Sequence, residues 1–280
     1  MPEGRPEVLR FDNLMQYLLL KNGNYLFKVP FRDGWAVLKL YYGDRSQYQY
    51  ISKTLGNVLV CNQTSFMPKS RLRTEMACLK LWREAGFRVF DTYDRVKVEG
   101  LPEGGYALFE YVDAPRFVNY FADGAIPLEE RLETWRRFLP VWHRRHAMAI
   151  ERREPKLIHE NGDLKHVMIM EDGQFLFFDF EMVFRSKKRV KEFVCWEILA
   201  YLKSLGKTVG HKHWNAFMQE TVDRYPDKSL LEHTYVLAFC NPNLVLRGAR
   251  WLDRKLKPGA KKPFSKYNAA LKLRELIERG

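Results

Sequence analysis

The chain has 280 residues and a formal net charge of +13, with Lys+Arg 47 against Asp+Glu 34. Hydrophobic residues at 46% and aromatics at 14% exclude a largely disordered chain. No apolar run is long enough to span a bilayer as a helix, and the N-terminal MPEGRPEVLR has no apolar signal core. A cytoplasmic location, with any membrane contact peripheral, is therefore the expectation. The basic balance favours anionic partners, whether nucleotides, nucleic acid, phosphorylated sugars or an acidic membrane surface, without choosing among them. The length suffices for one large domain or two lobes. Cys61, Cys78, Cys195 and Cys240 are scattered, which reads as reduced, mostly buried thiols.

In chain order, LMQYLLL, NYLFKVPF and GWAVLKLYY read as strands separated by the turn signals KNGN and RDG. The two-residue period puts Trp35, Val37, Lys39 and Tyr41 on one face of the third strand, so a lysine sits among apolar neighbours. SRLRTEMACLKLWREAG reads as a helix with Ser70 as N-cap and Gly86 as its stop. Leu72, Glu75, Leu79 and Trp82 share one stripe of it. Glu75 either reaches solvent at the stripe's edge or meets a buried cation, for which Lys39 is the natural candidate. GGYALFEYVDAPRF reads as a strand with a polar exit. Beyond it the pattern is helical: LEERLETWRRFLPVWHRRHAMAI, in which Pro140 is able to kink or divide the helix, then KEFVCWEILAYLKSLG, HWNAFMQETVDRY and NAALKLRELIERG. A β-rich front and a helical back predict an α+β chain of two lobes with a cleft between them, residues 1–112 and 113–280.

The segment ENGDLKHVMIMEDGQFLFFDFE, residues 160–181, predicts a hairpin turning at EDG, near Glu171 and Asp172. Its open end would carry Asp163 on one arm and Asp179 on the other, a few ångströms to about ten apart on strand spacing. Paired carboxylates on a rigid mount suit Mg²⁺, a hard cation with oxygen ligands, or the orientation and deprotonation of a hydroxyl nucleophile. They also suit the capping of turns.

GDLKHVMIM…FFDFE resembles the catalytic loop and metal-binding segment of the protein-kinase-like superfamily. The strand lysine of AVLKLYY, the helix glutamate of RTEMACLKLW and the hinge-like LFEYVD come in the family's order. The resemblance implies a two-lobed protein-kinase-like fold, with residues 163–181 as the catalytic hairpin of the second lobe, and ATP and Mg²⁺ as cofactors. It implies that Lys39 binds the α/β-phosphates and pairs with Glu75. Gly23 would lie in the phosphate loop, and Glu110 and Val112 would offer backbone groups to adenine. Asp163 would accept or orient the substrate hydroxyl, Lys165 would neutralise the transferring phosphoryl group, and Asp179, with Glu181 beside it, would hold the metal. Three departures stand out. The glycine loop is reduced to KNGN. Met168, a soft and poor ligand for Mg²⁺, stands where the family places an asparagine. Glu181 replaces the glycine of D-F-G, and His166 or Glu181 is available to compensate for Met168.

Only about ten residues, MVFRSKKRV, separate DFE from the next helix, too few for a peptide-docking activation segment. Arg185, Lys187, Lys188 and Arg189 there suit an anionic acceptor or a solvated loop. DGWAVLKLYYG and RTEMACLKLWREAGFRVFDTY are most similar to bacterial lipopolysaccharide kinases, which phosphorylate Kdo or heptose of the inner core. The implied function is phosphoryl transfer to a sugar hydroxyl of an anionic or lipid-linked glycan, at or near the inner membrane. The alternatives are a small-molecule phosphotransferase of the aminoglycoside or choline kinase type and a nucleotide-binding pseudokinase. No nucleic-acid partner is expected. RKLKPGAKKPFSK is either a solubilising tail or a contact for anionic lipid or sugar phosphate. His143 and His146 lie one helical turn apart with no apparent third metal ligand.

Overall fold

The computed structural model describes residues 6–21, 23–241 and 244–279. The chain is α+β, sheet-rich in its N-terminal part and helical in its C-terminal part. It divides into two compact units. The first comprises residues up to Ala114 together with Leu176–Arg185, the second Pro115–Phe175 and the chain from Ser186 onward.

The first unit is built on a four-stranded antiparallel sheet in the order β2 (Leu18–Lys21), β3 (Tyr25–Phe31), β4 (Gly34–Leu40), β7 (Tyr106–Glu110). Alternation along β3 and β4 turns Phe27, Val29, Phe31, Ala36 and Leu38 into one core with Leu108 and Val98. Lys39 points to the opposite face of β4. A short β1 (Glu7–Leu9) pairs in parallel with β6 (Val96–Val98), and β5 (Arg88–Val89) with the strand β9 (Phe175–Phe177) through Leu176 and Phe177. LMQY of the first expected strand is instead a turn of 3-10 helix, Leu14–Tyr17, because Asn13 caps it by accepting from the Met15 N–H.

Two helices follow β4. The first, α1 (Gln47–Leu55), has a capping box at Ser46 and Gln49 and was not anticipated. The second, α2 (Pro68–Glu84), starts three residues earlier than a Ser70 cap implies, with Met67 as N-cap and Pro68 in the first turn, where a missing N–H costs nothing. It stops at Gly86, whose φ of 78° is the left-handed geometry that glycine tolerates. Trp82 of α2 is fully buried against Phe87, Phe177 and Phe180, with ring centroids at 5.7, 5.2 and 4.5 Å. These contacts draw residues 176–185 into the first unit, whereas the sequence placed the whole 163–181 hairpin in the second.

The second unit is helical: α3 (Phe117–Ala122), α4 (Leu128–Glu151), α5 (Val190–Arg224), α6 (Lys228–Phe239), α7 (Leu244–Leu256) and α8 (Lys266–Arg279). Pro140 lies inside α4 without dividing it. Two of the expected helices are joined in α5, where Gly210 alone leaves helical geometry (φ 68°). Aromatic residues Phe117, Trp135, Phe138 and Trp142 are completely buried and form the core around which α4 and α5 pack. Of the cysteines, Cys78 and Cys195 are buried, while Cys61 and Cys240 are exposed. Among the described residues no helix is long and apolar enough to cross a membrane.

Candidate active site

In the first unit, α2 brings Glu75 to Lys39 of β4, and the two form an ion pair at 2.7 Å with both side chains almost fully buried. The same ammonium lies 2.7 Å from Glu181 and 3.9 Å from Asp179. Tyr41, two residues along β4, donates its hydroxyl to Glu75 at 2.5 Å. Burial acts to lower the Lys39 pKa, but the charges of Glu181, Glu75 and Asp179 outweigh it and hold the ammonium well above the ordinary lysine range. Burial pushes the Glu75 carboxyl up, Lys39 pulls it down, and repulsion from Glu181 and Asp179 leaves it raised. The two partners thus shift as though one stabilised the pair and the other did not. The geometry accounts for both: Lys39 faces three carboxylates, whereas buried Glu75 shares that one ammonium with two like charges.

A second cation, absent from the sequence reading, completes the cluster. Arg71 is 1% exposed. Its guanidinium donates to Glu181 at 2.8 Å, to the Asn24 side chain at 2.6 Å and to the Tyr41 carbonyl, while Asn24 donates its amide to Glu181. Arg71 lies one helical turn before Glu75 on the same face of α2, which was the available signal. Glu181 is thus an ion-pair partner of both Lys39 and Arg71, with both of its oxygens engaged. Asp179 remains the one with partly exposed oxygens, its side chain 33% accessible. Asp179 also adopts φ 74°, a left-handed conformation that costs a non-glycine residue about 1 kcal/mol or more and that collects at functional sites. Among the described residues no group of three or more His, Cys, Asp or Glu side chains converges as a metal centre.

The other expected nucleotide contacts are also in this unit. Gly23 turns between β2 and β3 at φ 75°, and a Cβ there would come within 2.8 Å of the Arg45 guanidinium. The Glu110 carboxylate is held by Arg88 at 2.7 Å and accepts the Asp91 N–H at 2.8 Å, which fixes the end of β7. Val112 lies in the irregular stretch that follows and is half-buried.

In the second unit, Asp163 caps a single 3-10 turn, Leu164–His166. Its Oδ1 accepts from the Lys165 N–H at 3.1 Å and from the Ser204 hydroxyl of α5 at 2.8 Å, leaving Oδ2 without a partner among the described residues. Gly162 is required before it because a Cβ would meet the Tyr201 ring at 2.8 Å. Behind the loop, Arg145 of α4 and Glu197 of α5, both fully buried, form a two-pronged ion pair. Arg145 also donates to the Leu157 carbonyl at 2.8 Å, and Glu197 accepts the His159 N–H at 3.1 Å, so the approach to Asp163 is clamped to two helices. Burial works to raise the Glu197 carboxyl, yet Arg145 holds it down at about 2. His146, one of the two histidines weighed as metal ligands, is buried against Glu197 and hydrogen-bonds Tyr225 at 2.7 Å.

The Lys165 side chain is exposed. His166 is buried, with Nδ1 3.1 Å from the Asn161 carbonyl, so its ring serves the loop. Met168, 8% exposed, lies on the strand β8 (Val167–Ile169), bridged to Arg116. The EDG turn closes with Gly173 donating to Met170 and Met170 to Gln174, each at 2.9 Å.

No family model matches the chain, and no curated protein matches it. Among solved structures, it is similar to the Rio2 kinase–ADP/Mg²⁺–phosphoaspartate complex from Chaetomium thermophilum. The identity is 15% and the TM-score 0.35, over 94% of this chain and 68% of that one, too distant for that protein's activity to be read across.

Proposed function

We propose that the protein has a protein-kinase-like fold and is an ATP-dependent phosphotransferase acting on a sugar hydroxyl of an anionic, lipid-linked glycan such as a lipopolysaccharide core. The observation that carries the reading is the buried Lys39–Glu75 pair with Asp179 beside it, because a charged cluster this costly to bury needs a purpose beyond stability. Lys39 would then orient the α/β-phosphates, Asp179 would hold Mg²⁺, and the Glu110–Val112 stretch would receive the base. Bound Mg²⁺ supplies positive charge against the phosphates. In the second unit, the open Oδ2 of Asp163 would take the proton of an acceptor hydroxyl, as transfer to a sugar oxygen with release of ADP requires. Positioning and electrostatic stabilisation provide most of the rate in such transfers.

A membrane-surface location is supported by α7, which turns Leu244, Trp251, Leu252 and Leu256 to solvent while Arg250 and Arg254 pack inward on Trp196 and Phe239. The pseudokinase reading has one specific observation in its favour: Glu181 occupies the Lys39 ammonium that phosphates would need. Mass spectrometry of Mg-ATP reactions with isolated core oligosaccharides separates the two. Transfer is expected, with Asp163→Ala and Lys39→Met each abolishing it. ADP binding with no turnover on any acceptor would establish the pseudokinase reading instead.

A further inference from the structure

A cavity of about 700 Å³ in the second unit is framed by α5, the C-terminal end of α7, the segment 257–265 and the start of α8. Lys203 and Lys207 line it from α5, and Lys257, Lys262 and Lys266 from the C-terminal side. Its one carboxylate, Asp253, is already engaged by Lys257 at 2.5 Å and by the Tyr267 hydroxyl at 2.6 Å. The other four ammoniums have no carboxylate within ion-pairing distance among the described residues, and Lys266 has only the Trp196 ring, 6.0 Å away. Five ammoniums gathered around one lining carboxylate repel one another, and an anion from solution relieves that repulsion.

The cavity wall is built rather than loose. Phe264 lies on Gly206 of α5 so closely that a Cβ there would be 2.6 Å from its ring. The ring also packs on His211 and Trp214 at 4.5 and 5.1 Å. Asn268 of α8 donates to the Lys262 and Pro263 carbonyls at 3.0 and 3.2 Å, which fixes the segment that carries Lys262. Of the two readings of this segment, a solubilising tail or a contact for anionic lipid or sugar phosphate, its ordered packing favours the second. Lys203 immediately precedes Ser204, the residue that holds Asp163, so the cavity and that carboxylate share one turn of α5.

We propose that this cavity binds a multiply charged phosphate- or carboxylate-bearing sugar, the anionic portion of the acceptor whose hydroxyl meets Asp163. The acceptor assignment rests on the function proposed above, whereas anion binding by the cavity stands without it. Burial, then repulsion from Lys203, brings the Lys266 pKa down to about 8, with Arg250 adding to the effect and Glu160 and Asp253 opposing it. Burial also lowers Lys203, helped by Lys207 and Lys262 and opposed by Asp163. Affinity for a polyanion therefore falls as pH rises through about 8, where Lys266 loses its charge.

The test is calorimetric titration of the full chain with glucose 1,6-bisphosphate at low salt, in the absence of nucleotide. Binding is expected, with uncharged glucose silent. Lys266→Met and Lys203→Met are each expected to weaken it at least tenfold, while Lys80→Met on α2 leaves it unchanged; the melting temperature of each variant verifies folding. Binding that survives both cavity variants but is lost in Lys39→Met would overturn the proposal, as would binding of neither the bisphosphate nor the vesicles described next. A second arm uses phosphatidylglycerol–phosphatidylcholine vesicles. Retention on vesicles that depends on Lys203 and Lys266, without bisphosphate binding, would support the anion site and identify a lipid headgroup as the source. Failure of phosphoryl transfer alongside intact bisphosphate binding refutes only the enzymatic reading.

Discussion

Arg71 provides the sharpest test of how the first unit's charge cluster is held. Replacing it with Met keeps an apolar stem but removes donors from Glu181, Asn24 and the Tyr41 carbonyl at once. Breaking one side of a buried ion pair costs about 3–5 kcal/mol, because the partner charge is left uncompensated. Glu181 would retain Lys39 and Asn24, which places Arg71→Met near the lower end of that range, at about 3 kcal/mol. Glu181→Gln removes the charge and keeps one acceptor, costing about 1–3 kcal/mol. In the double variant the uncompensated carboxylate is gone, so the combined loss falls short of the sum by about 1–3 kcal/mol. Urea unfolding followed by fluorescence of the seven tryptophans measures all three. Glu181→Gln should also release Lys39 from one of its carboxylates and tighten ADP binding several-fold. A cost for Arg71→Met below 1 kcal/mol, or strict additivity with Glu181→Gln, would refute the account of Glu181 as a partner of Arg71.

Ser204→Ala removes one of two hydrogen bonds to Asp163 Oδ1 and should lower kcat about 2- to 10-fold with KM for ATP unchanged, since a net hydrogen bond is worth about 0.5–1.5 kcal/mol; steady-state kinetics would show it. Burial holds the His146 pKa down at about 4, so its contribution to stability is complete above pH 6.5 and is lost as pH falls towards 4, about 3 kcal/mol in all. Glu197, held at about 2, contributes above pH 4.5 and loses that contribution as pH falls further. Urea midpoints of wild type and His146→Gln should therefore differ in slope between pH 6.5 and 4; parallel curves contradict the assignment. Trp251→Ser on the outward face of α7 should weaken sedimentation with anionic vesicles while leaving the melting temperature within about 2 °C, as expected for an exposed site.

How much was legible depended on whether partners share an element or a period. Lys39 and Glu75 were found because each was a charge on an apolar face, and two such anomalies find each other easily. Arg71 carries the same signal one turn away but passed as a flanking residue, and without it Glu181 read as a metal ligand. Asp163 was singled out by its motif, but the residues that hold it were not: Ser204 is 41 residues on, and the Arg145–Glu197 clamp spans 52. No local pattern encodes such pairs. The helix α1 was missed because only Tyr50 of it is buried, leaving no apolar stripe. The C-terminal lysines could be read as either a tail or an anion contact because their order comes from Phe264 against Gly206, a contact across 58 residues.

The two departures at Met168 and Glu181 are stabilised by different physics, and this determines which can be reversed. Met168 is held by packing: it is 8% exposed, and the neighbouring Ile169 donates to the Pro115 carbonyl at 3.0 Å. Met168→Asn would put an amide into that apolar place and cost about 1–3 kcal/mol unless the amide finds a partner. Glu181 is held by charge. Glu181→Gly would introduce the glycine of the D-F-G pattern that the segment resembles yet take from Arg71, 1% exposed, its carboxylate, leaving the Asn24 side chain and the Tyr41 carbonyl. The glycine reversion alone should therefore destabilise the chain more than Met168→Asn does, and adding Arg71→Met should recover part of the loss. The extra carboxylate and the buried arginine form one unit: either change alone leaves a buried charge uncompensated, whereas together they lead back to a site in which Lys39 answers only to Glu75 and Asp179.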